Sequence, residues 1–307
     1  MTDGRRNLDD AIRKADVLIE ALEYIRRFRD RYVVIKLGGS ALDDERSVRQ
    51  VLTDVLFMST VGMRPILVHG GGKAINRAMA VSGIEPRFVQ GRRYTDDTTM
   101  QIVAETLCDL SDDLADRLNT MGGRAVAMTP AVGGREGREA VLVARRFQLD
   151  GEDGPIDMGR VGVVDDLLAS PVVVSCRAGT IPVLPCCAIE RDADGHPSGL
   201  LNVNGDTAAA AVARLLEAEK LVFLSDVAGL QRDRNDPATL ISHLSTADVP
   251  KLIADGTIAD GMLPKIEASV EAIEAGVRKV HMVDAKVPHG LLVEIFSKDG
   301  IGTEIAA

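Results

Sequence analysis

The chain has 307 residues, of which 46% are apolar, 3% aromatic and none tryptophan, and its formal net charge is −10. That length and apolar content predict a globular chain of one large domain or two lobes, not a disordered one. Scarce aromatics and an acidic balance argue against a nucleic-acid-binding face, and any anion must be held by a local positive pocket.

In chain order, Leu8, Ile12, Ala15, Leu18, Ile19, Leu22, Ile25 and Phe28 recur every three or four residues and predict one amphipathic helix over 8–28. "YVVIKL" (32–37) and "PILVH" (65–69) are apolar runs that read as buried parallel strands, each followed by glycines and a helix. A long helix is expected after Thr95 as N-cap, running to Asn119. Residues 121–164 read as a glycine-broken antiparallel flap, "PVVVS" (171–175) and "IPVLP" (181–185) as strands, and 190–199 as a polar loop. "GDTAAAAVARLLEA" predicts a helix and "LVFLSD" (221–226) a strand; a helix starts near Leu263, where Pro264 suits the first turn. "VHMVD" (280–284), a short helix at 291–296 and a closing strand at 303–305 complete the pattern. Such alternation predicts an α/β fold, a mostly parallel sheet covered on both faces, with ligands at the carboxyl ends of its strands. A shallow lobe boundary is placed near residue 218. No apolar stretch reaches about 18 residues and no signal-peptide core opens the chain, so a soluble cytoplasmic protein with no membrane partner is expected. Cys108, Cys176, Cys186 and Cys187 form no CxxC pair and read as reduced structural thiols.

Gly38-Gly39 and Gly70-Gly71-Gly72 each join a strand to a helix, where backbone amides and a helix N-terminus offer a phosphate site. Neither loop is a Walker A or GxGxxG fingerprint, since Ala74 and Ile75 occupy the wrong places. Two loops of one design still favour anion binding. Lys36, buried at a strand end beside one of them, has a clear role in neutralising transferring phosphoryl oxygens.

"VVIKLGGS", "ILVHGGGKAI", "GRRYTD", "LNVNGDTAA", "LVFLSDVAGL" and "DGMLPKIEA" occur in the order seen in the amino-acid kinase superfamily, and residues 17–305 most resemble the N-acetylglutamate kinase family of the arginine-sensitive type. The resemblance implies a three-layer αβα sandwich, with an N-terminal oligomerisation helix (1–30), an acyl-amino-acid lobe (31–217) and a nucleotide lobe (218–307). It implies phosphorylation of the γ-carboxylate of N-acetyl-L-glutamate by ATP with Mg2+, in arginine biosynthesis. Lys36 and Lys265 match the catalytic lysines and Asp206 the aspartate that holds both; from sequence alone Asp206 reads as a helix N-cap and Lys265 as an exposed helix lysine. Gly71, Gly72, Arg93 and Asn202 match the acid site, Arg93 as a two-pronged carboxylate grip. Gly38, Gly39, Ser225 and Asp226 match the nucleotide side, and no firm protein ligand for the metal is assigned. Tyr24, Lys220, His281, Glu294 and Gly302 match an arginine effector site, in a homo-oligomer expected to be a hexamer, a trimer of dimers, in which arginine acts by shifting lobe closure.

Several positions depart from the family pattern: Arg92 and Tyr94 beside Arg93, Gly205 where alanine is usual, Cys186-Cys187-Ala188 after "IPVLP", and Glu23 where proline commonly precedes the tyrosine. Arg92 and Tyr94 keep open a kinase for another N-acyl or carrier-bound amino acid such as aminoadipate. A non-catalytic amino-acid or nucleotide sensor is the second alternative, opposed by the intact Lys36, Lys265 and Asp206. Aspartokinase is disfavoured because no regulatory extension follows residue 307, and uridylate kinase by "GRRYTD" and "LNVNGDTAA".

Overall fold

Tyr32–Leu37 (β1) begins a central sheet whose neighbouring strands, Arg64–His69 (β2) and Lys220–Ser225 (β13), both run parallel to it. The computed structural model describes residues 2–138, 140–151, 154–192, 194–233 and 236–307. Before β1 lies the helix Thr2–Phe28 (α1); between β1 and β2 runs Glu45–Thr60 (α2), which Asp44 caps by accepting from the Ser47 amide. Gly72–Val81 (α3), the hairpin Phe88–Val89 (β3) and Arg92–Arg93 (β4), and Asp97–Thr120 (α4) lead to the edge strand Ala125–Ala127 (β5). Asp96, not Thr95, caps α4, because its carboxylate accepts from the Thr99 amide while Thr95 turns inward to the Arg93 carbonyl.

The expected flap is in part a barrel. Leu142–Arg146 (β6), Val161–Leu167 (β9), Cys187–Arg191 (β11) and Pro197–Val203 (β12) close on themselves, with the small hairpin Leu149–Gly151 (β7) and Gly154–Ile156 (β8) between β6 and β9. Strands β11 and β12 extend into the segment expected to be a loop, β11 to Arg191 and β12 from Pro197. Residues 171–175, read as a strand, belong instead to the helix Ala169–Arg177 (α5). Val172 and Cys176 are buried one turn apart while Val174 faces solvent, which is helical spacing. The next strand, Ile181–Pro185 (β10), pairs parallel to β2 and β5, so the chain must return across the sheet before entering it, and a helix makes that return. Packing outweighs the strand propensity of three valines.

Gly205–Leu215 (α6) precedes β13. After it come His243–Ser245 (β14), Val249–Ala254 (α7), Leu263–Glu274 (α8), Lys279–Asp284 (β15), Gly290–Phe296 (α9) and Thr303–Ala306 (β16). The eight-stranded order is β14-β16-β15-β13-β1-β2-β10-β5, parallel except for the β15–β16 pair. Alternate residues of each strand enter two cores. Val34, Ile66, Leu184, Leu221 and Phe223 meet α5, α6 and α8 on one face. Val33, Ile35, Leu67, Val183 and Val222 meet α2, α4 and α9 on the other. This is the three-layer arrangement expected of a parallel sheet. Most of α1 has no such cover: Leu8, Ile12, Val17, Leu18 and Ile19 are exposed, and only its last turns, with Phe28 buried, join the second core. Among the described residues no helix is long and apolar enough to cross a membrane.

Candidate active site

Lys36 is the fifth residue of β1, so its stem leaves the sheet at the carboxyl end, beside the glycine turn. Glycine at 38 leaves the lysine where it stands: an added Cβ would overlap the Lys36 ammonium and displace it. Lys265 is the third residue of α8, after Pro264 in the first turn, and is buried, not exposed as a surface helix lysine would be. Asp206 comes from the first turn of α6. The cap of that helix is Asn204, whose side-chain oxygen accepts from the amides of Asp206 and Thr207, so the sequence reading of Asp206 as the cap is corrected. The carboxylate thereby remains free to face the lysines: Oδ1 lies 2.8 Å from Lys36 Nζ and Oδ2 2.8 Å from Lys265 Nζ.

Burial pushes the Asp206 carboxyl up, but the two ammonium groups outweigh it and hold the group at about 2. Burial pushes Lys265 below the usual lysine value against the pull of Asp206. Lys265 Nζ also sits 4.8 Å from the Phe223 ring centroid, a cation–π contact. One carboxylate between two lysines leaves the cluster a net positive charge in a region short of water. Lys36, Gly38, Asp206, Ser225, Asp226 and Lys265 line a cavity of about 400 Å³. Sequence reading missed its far wall, including Leu230, Gln231, Thr257 and Met262, because these residues carry no charged or glycine-loop signature. Gly229 lets this wall approach the sheet end, where Thr303 Oγ1 accepts from the Leu230 amide at 2.8 Å.

Gly39 opens the short 3-10 turn Gly39–Asp43 after β1. Gly71 caps α3 and Gly72 is its first residue; a Cβ on Gly71 would crowd Leu107 and Leu110 of α4. The early amides of such a helix lack intrahelical partners. Arg93 reaches this turn: it is buried, donates to Asn76 Oδ1, to the Gly72 carbonyl at 3.3 Å and to Met79 Sδ at 3.0 Å, and lies 5.0 Å from the Phe88 ring. None of these partners is anionic, and burial lowers its proton affinity. Asn202 Nδ2 donates to Thr95 Oγ1, which donates to the Arg93 carbonyl, so Gly72, Arg93 and Asn202 fall into one connected group. The departures Arg92 and Tyr94 turn elsewhere, Arg92 over Phe147 at 4.3 Å and Tyr94 under Arg87 at 4.9 Å. His69, before the glycines, donates from Nδ1 to the Gly70 carbonyl and accepts from Ser111 at Nε2; burial pushes it down to about 4, so it is neutral. The four cysteines are free and buried.

A second polar group lies at the opposite end of the sheet. His281 Nε2 accepts from Lys220 Nζ at 2.8 Å, and His281 Nδ1 donates to Glu294 at 2.7 Å. The other Glu294 oxygen accepts the amides of Ile301 and Gly302 at 2.7 and 2.9 Å. Burial pushes Lys220 down to about 8. Tyr24, whose ring centroid is 6.3 Å from that of Phe296, lines a cavity of about 220 Å³ with Lys220 and Glu294. The five residues matched to an effector site are thus together.

The model of the amino acid kinase family matches residues 31–284. An acetylglutamate kinase of Akkermansia muciniphila is 41% identical over 295 residues, 96% of each chain. One of Methanocaldococcus jannaschii is 37% identical over 301 residues, 96% of this chain and 97% of that one. Among solved structures, the N-acetylglutamate synthase of Neisseria gonorrhoeae with coenzyme A and N-acetyl-glutamate superposes with a TM-score of 0.80 at 26% identity. That match covers 95% of this chain and 63% of the synthase. The same synthase with coenzyme A and L-arginine gives 0.74 at 27% identity, covering 95% of this chain and 65% of that one. A carbamate kinase of Giardia lamblia bound to AMP-PNP, 15% identical with a TM-score of 0.64, covers 90% of this chain and 98% of its own and shares the fold.

Proposed function

The chain belongs to the amino acid kinase family, and from that premise we propose how its cleft carries out the ATP-dependent phosphorylation of the γ-carboxylate of N-acetyl-L-glutamate, the activity its acetylglutamate kinase relatives support. The observation that carries this reading is the pair of lysines from separate elements, β1 and α8, converging at 2.8 Å on the two oxygens of Asp206 at the mouth of a cavity of about 400 Å³.

An ionised carboxylate is already a nucleophile, so the reaction needs no general base. A carboxyl held at about 2 between two cations would be a poor one. Asp206 is instead the hinge on which Lys36 and Lys265 are aimed. As the carboxylate oxygen bonds to the γ-phosphorus, the bond to the bridging oxygen breaks and ADP leaves with the electron pair. The two ammonium groups face the oxygens on which negative charge accumulates. Arg93 grips a carboxylate of the acid, Asn202 contacts its acylamino group, and Gly71 and Gly72 offer amides near the transferred group. Ser225, Asp226, Gly38 and Gly39 border the nucleotide. Residues 31–217 hold the acid and 218–307 the nucleotide. Asp206 is committed to two lysines, so Asp226, which also lines the cavity, is the carboxylate that would help hold Mg2+, and the ion would offset charge on the phosphate oxygens.

Regulation belongs to the other cavity. Arginine fits the space between Tyr24, Lys220 and Glu294, with its guanidinium on Glu294. The exposed apolar stripe of α1 pairs with that of another dimer to build a hexamer in the cytoplasm. The discriminating assay supplies ATP with N-acetylglutamate, N-acetylaspartate or an N-acyl aminoadipate and traps the acyl phosphate with hydroxylamine. Turnover with N-acetylglutamate at least tenfold above the others is expected, and a preference for another acid would overturn the substrate assignment.

A further inference from the structure

Lys36 does not stand free above Asp206; it lies in a slot. On one side is Gly38, where a Cβ would come within 2.8 Å of Lys36 Cε. On the other is Gly205, where a Cβ would sit 3.1 Å from Lys36 Cε and 3.4 Å from Cys186 Sγ. The reason for glycine at 205 is not its backbone: it is absent from the positive-φ positions and is the first residue of a helix, where alanine is the better helix former. What glycine provides is room, and the room is shared by the lysine stem and the sulfur.

The Cys186 backbone is held in place. The residue is buried, its amide donates to the His69 carbonyl at 3.1 Å, and its carbonyl accepts from the Val203 amide at 3.2 Å, which fixes it between the ends of β2 and β12. Burial pushes its thiol up to about 12, so the sulfur adds no charge that would compete with Asp206 for Lys36.

We propose that Cys186 and Gly205 are a volume-matched pair of positioning residues that sets where the Lys36 ammonium stands between Asp206 and the cavity. This rests on the reading of Lys36 as the cation that meets the transferring phosphoryl group. A methyl at position 205 would rest against the sulfur at 3.4 Å, in ordinary contact, while pressing on Lys36 Cε at 3.1 Å; with the sulfur behind it the methyl has no room to withdraw, and Lys36 is the group that must move. Close-packed surroundings transmit such a shift instead of absorbing it.

The test is a double-mutant cycle on the full-length enzyme with Lys36→Ala measured alongside. Gly205→Ala is expected to lower kcat about tenfold with both KM values within about twofold, a split that a general loss of folding does not produce. Cys186→Ala alone is expected to change kcat by less than about threefold. The double variant Cys186→Ala/Gly205→Ala is expected to return to within about threefold of wild type, a strong departure from additivity. Cys186→Val, which adds bulk at the sulfur's position, is expected to reproduce the loss with Gly205 intact, so the test survives a Gly205→Ala chain that does not fold. Unchanged kcat in both enlarging variants, a loss that falls on KM, or additive effects in the double variant would overturn the pairing. If Lys36→Ala itself turns over normally, the reading of Lys36 is what fails, whatever the cycle shows.

Discussion

Lys36, half-buried, and Lys220, buried, lie at opposite ends of two neighbouring parallel strands, and their surroundings differ in a way that separates two kinds of strand-end cation. At the carboxyl end, Lys36 and a second lysine share one carboxylate, and the cluster keeps a surplus of positive charge facing a cavity. At the amino end, Lys220 meets a neutral imidazole, and Glu294, which accepts from that imidazole and two backbone amides, still lines the cavity there. Burial without a directly bonded carboxylate therefore brings Lys220 down to about 8. The first arrangement is suited to receive an anion. The second is suited to a ligand that brings both a cation and an anion, such as an amino acid.

The largest test of this contrast is rate. Lys36→Ala and Lys265→Ala should each lose about 10²–10³ in kcat, whereas Lys220→Ala should keep uninhibited kcat within about threefold. Equal losses at both ends would erase the distinction. Next is acid stability. The Asp206 carboxyl is depressed from 3.8 to about 2 in the folded chain, so its contribution is complete above the unfolded value and disappears as pH falls from about 4 toward 2. Urea titrations should show about 2 kcal/mol lost over that window in wild type and little of it in Asp206→Asn; parallel curves would count against the triad.

Within the carboxyl end, Arg93→Lys should raise KM for the acid about tenfold and leave KM for ATP within about twofold, because a point charge cannot replace a planar two-pronged donor. A change confined to ATP would reverse the lobe assignment. The smallest expected effect sharpens the amino end. Deleting residues 1–19 removes the exposed stripe but keeps Tyr24 and the buried Phe28. Inhibition by arginine should weaken about threefold or more and the assembly should shrink, with uninhibited kcat unchanged; an unaltered size in light scattering would remove α1 as the connecting element.

The sequence by itself determined the parts whose information is local. Apolar runs of strand length, glycines after them and proline at a helix start placed β1, β2, β13, α8 and the two glycine turns, and six ordered motifs pointed to Lys36, Lys265 and Asp206. It left open what depends on partners distant in the chain. The valines at 171–175 form a helix because a parallel strand follows and needs a crossover, a constraint set by β2 and β5. Asp206 is a hinge for two lysines and not a cap because Asn204 takes the helix amides. The room at Gly205 is meaningful only beside Lys36 and Cys186, which are 169 and 19 residues away in the chain and converge only when β1, β10 and α6 pack together. Periodicity records which face of an element is buried, but not which atoms meet there; that is decided by the packing of the sheet against its helices.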